Sequence, residues 1–226
     1  MKAMILAAGR GERMRPLTDR TPKPLLEVGG ERLIERHLRR LAAAGITKIV
    51  INLSWLGSQI RLCVGNGQRF GVEVRYSDEG PTALDAAGGI FKALPLLGRG
   101  PFLVVNGDIW TDHPLLPPAL AADRHAHLVL VPNPVQHACG DFALDGSHVR
   151  EQGAVSYTYS GIGVYRREFF AGCEPGQFPL LPLLQRAIQE DRLSGELYAG
   201  RWYDIGTPQR LTALDTELRA QGSRDP

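Results

Sequence analysis

The chain has 226 residues, with 26 basic and 24 acidic side chains, a hydrophobic fraction of 43% and a charged fraction of 22%. That composition excludes intrinsic disorder, collagen-like repeats and coiled-coil character. A net charge of +2 without any long basic run excludes a nucleic-acid-binding field.

The first elements are read from apolar periodicity. Residues 2 to 7 form a short buried strand, closed by Ala8-Gly9-Arg10-Gly11 and followed by a polar, proline-punctuated loop as far as Val28. The apolar stretch after Met1 ends after about half a dozen residues, shorter than a leader's hydrophobic region. Leu33, Ile34, Leu38 and Leu41 recur at helical spacing between Glu31 and Ala44, and Gly45 supplies the stop. Lys48 to Asn52 predicts a strand, Leu56 to Val64 a short helix, Val72 to Tyr76 a strand, Leu84 to Leu97 a helix and Pro101 to Val105 a fully buried strand. Further on come a weak helix at Leu115 to Ala122 and a strand at His127 to Val131. Shorter strands follow at Phe142 to Leu144, Tyr157 to Tyr165 and Glu196 to Ile205, with helices at Leu180 to Glu190 and Pro208 to Arg219 and a frayed tail from Gln221.

Alternating strand and helix through the first 130 or so residues implies right-handed crossovers and an α/β, Rossmann-like, mostly parallel sheet with helices on both faces. The chain is read as one domain over 1–226, with a first half of about 1–112 and a second of about 113–226. No stretch approaches the ~18 apolar residues of a membrane span. Cys63, Cys139 and Cys173 lack CxxC spacing, which argues against a disulfide framework or zinc site and fits a soluble, cytoplasmic protein. The six histidines show no HExxH spacing, and no Gly-x-Ser-x-Gly elbow is present.

The most informative segment is Leu6-Ala7-Ala8-Gly9-Arg10-Gly11-Glu12-Arg13-Met14-Arg15-Pro16-Leu17-Thr18, then Thr21-Pro22-Lys23-Pro24-Leu25. A strand ending in small residues and Gly-x-Gly lets backbone N–H groups approach an anion closely. Met14 interrupts GxGxxG and no Gly-Lys-Ser/Thr follows, so neither common nucleotide motif is complete. Arg13, Arg15 and Lys23 nonetheless bring three cations to one loop, enough to neutralise a polyphosphate. NAD binding would also want an acidic residue where Asn52 stands. Asp108 in Asn106-Gly107-Asp108 and Asp204 in Trp202-Tyr203-Asp204-Ile205-Gly206-Thr207-Pro208 are two carboxylates at strand ends, suited to Mg²⁺ beside phosphates. Read alone, either aspartate serves equally well as a turn former or helix N-cap.

These two loop stretches together resemble the signature of the sugar-phosphate nucleotidyltransferases. The resemblance implies the nucleotide-diphospho-sugar transferase fold, with Ala8, Gly9, Gly11, Glu12 and Arg13 around a nucleoside triphosphate, and Arg15 and Lys23 on its phosphates. Asp108 and Asp204 would be the metal ligands, with Asp108 counted among the catalytic groups. Glu79, Gly88 and Asn106 would complete the nucleotide site, through the matching segments Tyr76 to Gly80 and Leu84 to Ile90. Relatives often carry Thr at Ala86 and Glu or Gly at Asp85. Gly140, Asp141, Glu151 and Ser160 would contact the acceptor sugar. The implied reaction takes UTP and a sugar 1-phosphate, first of all N-acetylmuramate 1-phosphate, and releases pyrophosphate, in cell-wall recycling by a monomer. Guanylyl, thymidylyl or cytidylyl transfer is the alternative within the family, and a nucleotide-sugar-sensing module without turnover the alternative outside it.

Overall fold

The computed structural model describes residues 1–116 and 119–222. Thirteen strands and five helices are described. The sequence opens with β1 (Lys2–Leu6), the hairpin β2 (Glu27–Val28) and β3 (Glu31–Arg32), α1 (Leu33–Ala43), β4 (Lys48–Leu53), α2 (Gly57–Val64), β5 (Glu73–Asp78), α3 (Asp85–Leu97), β6 (Phe102–Asn106) and β7 (Ile109–Thr111). It continues with β8 (Ala126–Val131), β9 (Phe142–Asp145), β10 (His148–Arg150), β11 (Ser156–Tyr165), α4 (Leu181–Gln189), β12 (Leu193–Leu197), β13 (Trp202–Asp204) and α5 (Pro208–Gly222).

The main sheet has the order β5-β4-β1-β6-β11-β8-β12-β10-β9. Neighbours are parallel from β5 to β6, β11 runs antiparallel to both β6 and β8, and β12 returns parallel to β8. Alternation along β1 explains how both faces are filled. Ala3 and Ile5 join one core with Ile34 and Leu38 of α1 and Ile60 of α2, while Met4 joins the other with Ile90 and Leu94 of α3 and Leu184 of α4. A third, smaller core joins Met14, Leu33, Trp110, Ile205 and Leu214, so α5 packs beside the loop that follows β1.

The chain leaves β1 toward β4 and β5 and then crosses back to β6 on the other side of β1. The carboxyl ends of β1 and β6 therefore flank a point where the strand order reverses, the place where open α/β sheets form a crevice. Gly107 brings these ends together. Its N–H donates to Leu6 O at 2.9 Å, and a Cβ on it would stand 2.5 Å from that same oxygen.

Two expectations need correction. No helix forms among the described residues of 115 to 122. Leu115 is buried with φ 56°, a left-handed backbone that ends any helical turn, while Pro117 and Pro118 lie outside the described residues. The run Glu196 to Ile205 is two strands rather than one: β12 pairs with β8 and β13 with β7, and Gly200 lies in the break. In the tail, Gln221 still belongs to α5 and accepts from Arg201 at 2.9 Å, and 223–226 lie outside the described residues.

Candidate active site

The loop after β1 is held from outside the crevice. Gly11 takes φ 69°, where a side chain would be strained, and a Cβ there would meet Thr18 Cγ2 at 2.9 Å. Thr18 Oγ1 donates back to Gly11 O at 2.8 Å. Arg10 Nη1 and Trp55 Nε1 both donate to Thr18 O, at 2.8 and 2.9 Å, and the Arg10 guanidinium stacks 3.9 Å above the Trp55 ring. The loop's backbone therefore faces the crevice in a fixed shape.

A cleft of about 410 Å³ opens above this loop. Ala8, Gly9, Gly11, Glu12, Arg13, Lys23, Glu79 and Asn106, all expected at the nucleotide site, line it together with Asp108, expected as a metal ligand. Its far wall is an internal chain of hydrogen bonds. Ala7 N–H donates to Asn52 Oδ1 (2.8 Å), Asn52 Nδ2 donates to Glu79 Oε1 (2.7 Å), and Leu84 N–H donates to Glu79 Oε2 (2.7 Å). Asn52 and Glu79 are 3% and 7% exposed, so these bonds satisfy buried polar groups and lock β1, β4, β5 and the start of α3 in register.

A second cleft of about 410 Å³ adjoins the first, and Arg13, Asn106 and Asp108 line both. Asp108 Oδ2 receives Lys23 Nζ at 2.5 Å, on a lysine that is 8% exposed. Asp204 lies on β13 opposite Ile109 of β7, lines the second cleft and pairs with Arg210 at 2.5 Å. Ile205 N–H donates to Asp108 O at 3.1 Å, which ties the two aspartate-bearing segments together. Two carboxylates on one cleft wall, with no thiolate, suit a hard cation that fills its other positions with water and phosphate oxygens. Among the described residues no group of three or more His, Cys, Asp or Glu side chains is placed to cage a metal.

Other expected residues lie elsewhere. Arg15 enters neither cleft: its Nε donates to Asp19 at 2.9 Å, and the side chain is 56% exposed. Gly88 is a packing position, where a Cβ would stand 2.3 Å from Gly176 O and where its N–H donates to Phe178 O. Ser160 lines the second cleft, yet its hydroxyl is committed to Val129 O at 2.7 Å. Asp141 sits behind that wall, bound to His137 Nε2 (2.9 Å) and Tyr159 N–H (2.8 Å), while His137 and Tyr159 face the cleft. Gly140 makes the turn before it at φ 64°, against Asn133. Glu151 lies outside both clefts, beside Gln185 at 3.4 Å.

The structure adds Asn52, Thr158, Trp202 and Arg210 to the two walls. A polar residue inside the apolar run Lys48 to Leu53 was the available signal for Asn52; Arg210, one polar residue among several in α5, carried none. Burial pushes the Tyr159 phenol up to about 12, so at neutral pH it stays protonated rather than acting as a base.

Residues 2–138 match the family model described as nucleotidyl transferase. The chain is 52% identical over 220 residues to N-acetylmuramate alpha-1-phosphate uridylyltransferase of Neisseria meningitidis, covering 93% of this chain and 95% of that protein. It is 34% identical to the protein of the same name from Caulobacter vibrioides, with 96% of each covered. A solved Bacillus anthracis chain, assigned as a glucose-1-phosphate thymidylyltransferase, superposes with a TM-score of 0.85 at 24% identity, covering 97% of this chain and 95% of that one, which establishes the shared fold. The chain belongs to the nucleotidyl transferase family.

Proposed function

We propose that the protein transfers UMP from UTP to N-acetylmuramate 1-phosphate, giving UDP-N-acetylmuramate and pyrophosphate, as a cytoplasmic step of cell-wall recycling. The observation that carries the reading is the 52% identity, over nearly the whole of both chains, to a uridylyltransferase acting on that sugar phosphate. Two adjoining clefts, both lined by Arg13, Asn106 and Asp108, support the reading.

In this reading the triphosphate lies over the backbone of Gly9 to Gly11 in the first cleft, with Lys23 and Arg13 on its phosphates. The acceptor enters the second cleft, and its phosphate oxygen attacks the α-phosphorus in line as the oxygen–phosphorus bond to pyrophosphate breaks. The attacking oxygen is already ionised near neutral pH, so no general base is required, which agrees with a protonated Tyr159. Repulsion between two anions is the main obstacle, and the chain answers it with fixed cations and a shape that aligns the reactants. Asp108 and Asp204 are the proposed Mg²⁺ ligands; bound there, the ion would neutralise charge on phosphate oxygens.

The test is pyrophosphate release by the purified protein with Mg²⁺ across four nucleoside triphosphates and a panel of sugar 1-phosphates. Release with UTP and N-acetylmuramate 1-phosphate supports the reading. Release with another pair keeps the mechanism and replaces the substrates. Binding of a nucleotide sugar without release under any pair replaces the enzyme reading with a sensing one.

A further inference from the structure

We propose that Arg210 receives the 1-phosphate of the acceptor, after giving up Asp204 to the divalent cation. The inference rests on the reading above and deepens it, because it names the residue that grips the second substrate.

Each of the two proposed ligand aspartates holds one cation at the same distance. Lys23 is 2.5 Å from Asp108, and Arg210 is 2.5 Å from Asp204. The two cations differ in which cleft they line. Lys23 lines the first and not the second; Arg210 lines the second and not the first. A cation exchanged off its carboxylate turns to the anion in its own cleft, which for Lys23 is the triphosphate and for Arg210 the acceptor.

Elimination within the second cleft points the same way. Asp108 and Asp204 are the only acidic side chains on its described wall, and both are the proposed ligands of the cation. Once Asp204 ligates a cation, a guanidinium that is only 24% exposed has no protein carboxylate left to face. An incoming oxyanion restores the charge balance, and the planar fork of arginine matches two oxygens of a phosphate.

Arg210 stands in the first turn of α5, where its backbone N–H donates to Thr207 Oγ1 at 3.3 Å. Its Nη2 occupies the space over Gly206, where a Cβ would come within 2.2 Å of it. Gly206 itself lines the first cleft, so Arg210 reaches the boundary between the clefts. That boundary is where the attacking oxygen must stand. The acceptor's phosphate is therefore its target, in preference to any more remote carboxylate on the sugar.

The test uses the full-length protein and the variants Arg210→Gln and Arg210→Lys, with thermal midpoints recorded to confirm folding. Initial rates give KM for UTP and for N-acetylmuramate 1-phosphate, and the KM or Ki of N-acetylglucosamine 1-phosphate, which has the phosphate without the lactyl carboxylate. Mn²⁺ affinity is read by electron paramagnetic resonance in the presence of α,β-methylene-UTP. Expected for Arg210→Gln are a rise of about tenfold or more in the acceptor constant for both sugars, the scale of one charged hydrogen bond, and an unchanged KM for UTP. Arg210→Lys should restore part of the loss. Mn²⁺ should bind severalfold more tightly to Arg210→Gln, because the competing cation is gone.

An unmoved acceptor constant overturns the inference, as does a rise confined to the lactyl sugar. Unchanged or weaker Mn²⁺ binding also overturns it, since Arg210 would then be orienting Asp204. If the wild type turns over a different pair, the functional reading fails and the same readouts on that pair decide the inference separately. A wild type silent with every pair removes both, whereas wild-type turnover with an unaltered Arg210→Gln removes the inference alone.

Discussion

Asn52 on β4 donates a 2.7 Å hydrogen bond to Glu79 at the end of β5, and through its own Oδ1 it accepts the N–H of Ala7 where the glycine loop begins. One buried amide thus fixes the nucleotide wall to the phosphate loop. Asn52→Ala should lower stability by about 2–4 kcal/mol, leaving a buried N–H and a buried carboxylate oxygen without that partner, and raise KM for UTP more than KM for the acceptor. Asn52→Asp sets a second carboxylate against Glu79. Its deficit relative to wild type should shrink as pH falls and one of the pair takes a proton. Urea denaturation of wild type and variant at two pH values checks this; a deficit independent of pH would contradict the pairing.

Arg13 and Arg15 are two residues apart in one loop and differ completely in placement. Arg13 lines both clefts, whereas Arg15 leans on Asp19 and solvent. Arg13→Gln should therefore reduce kcat by about a hundredfold or more, the scale of losing a group that stabilises transition-state charge. Arg15→Gln should stay within about threefold of wild type, since an exposed, solvent-screened ion pair contributes little. Steady-state kinetics on the two variants settle which arginine the phosphates see.

Lys23→Met keeps the length and apolar stem of the lysine and removes only its charge. The stem is nearly buried beside Asp108, whose side chain is 35% exposed and can turn to water. Turnover should fall by two or more orders of magnitude while the thermal midpoint moves by only a few degrees. A variant with near-normal turnover would remove Lys23 from the chemistry.

How much of this was legible in the sequence follows from the range of the interactions involved. Strong periodicity placed α1 and the buried strands, because their pattern is set by which face meets the core. The glycine loop, Lys23 and Asp108 were legible as a motif, and the structure brings them to one cleft wall. What sequence could not supply is placement within a loop: Arg15 turns to Asp19, four residues along, while Arg13 lines both clefts. Only the fold reveals that Gln185 stands beside Glu151 and that the Gly176 to Phe178 segment packs against Gly88. The split of Glu196 to Ile205 into β12 and β13 depends on two different distant partners, β8 for the first and β7 for the second.

Two buried histidines give the fold an acid limit. Burial, reinforced by Arg36, depresses His37 to about 4, and burial beside Arg40 does the same to His113. The unfolded chain, with histidines near 6.5, binds more protons than the folded one between pH 6.5 and 4, so stability is present above 6.5 and is lost as pH falls through that window. His37 alone should cost about 2 kcal/mol at pH 5 relative to pH 8, and His113 acts with the same sign. Denaturant unfolding across this range should show the fall, and His37→Phe should flatten it. A slope unchanged in that variant would mean that another group carries the acid sensitivity.

Gly107 makes a strict steric demand at the site, against a backbone atom. Its missing side chain lets the end of β6 lie on the end of β1, and the atom a Cβ would strike, 2.5 Å away, is the backbone oxygen of Leu6. A backbone atom in a central strand cannot swing aside as a side-chain tip can, so Gly107→Ala must separate the two strand ends. Asp108 is the next residue, and displacement of its carboxylate by about 1 Å is enough to cost about a hundredfold in rate, on top of about 1–3 kcal/mol of overpacking. Gly100 provides the control, because a Cβ there meets nothing within 4 Å. Gly100→Ala should leave rate and stability unchanged while Gly107→Ala loses both. Equal behaviour of the two variants would mean that the close approach of β1 and β6 does not position Asp108.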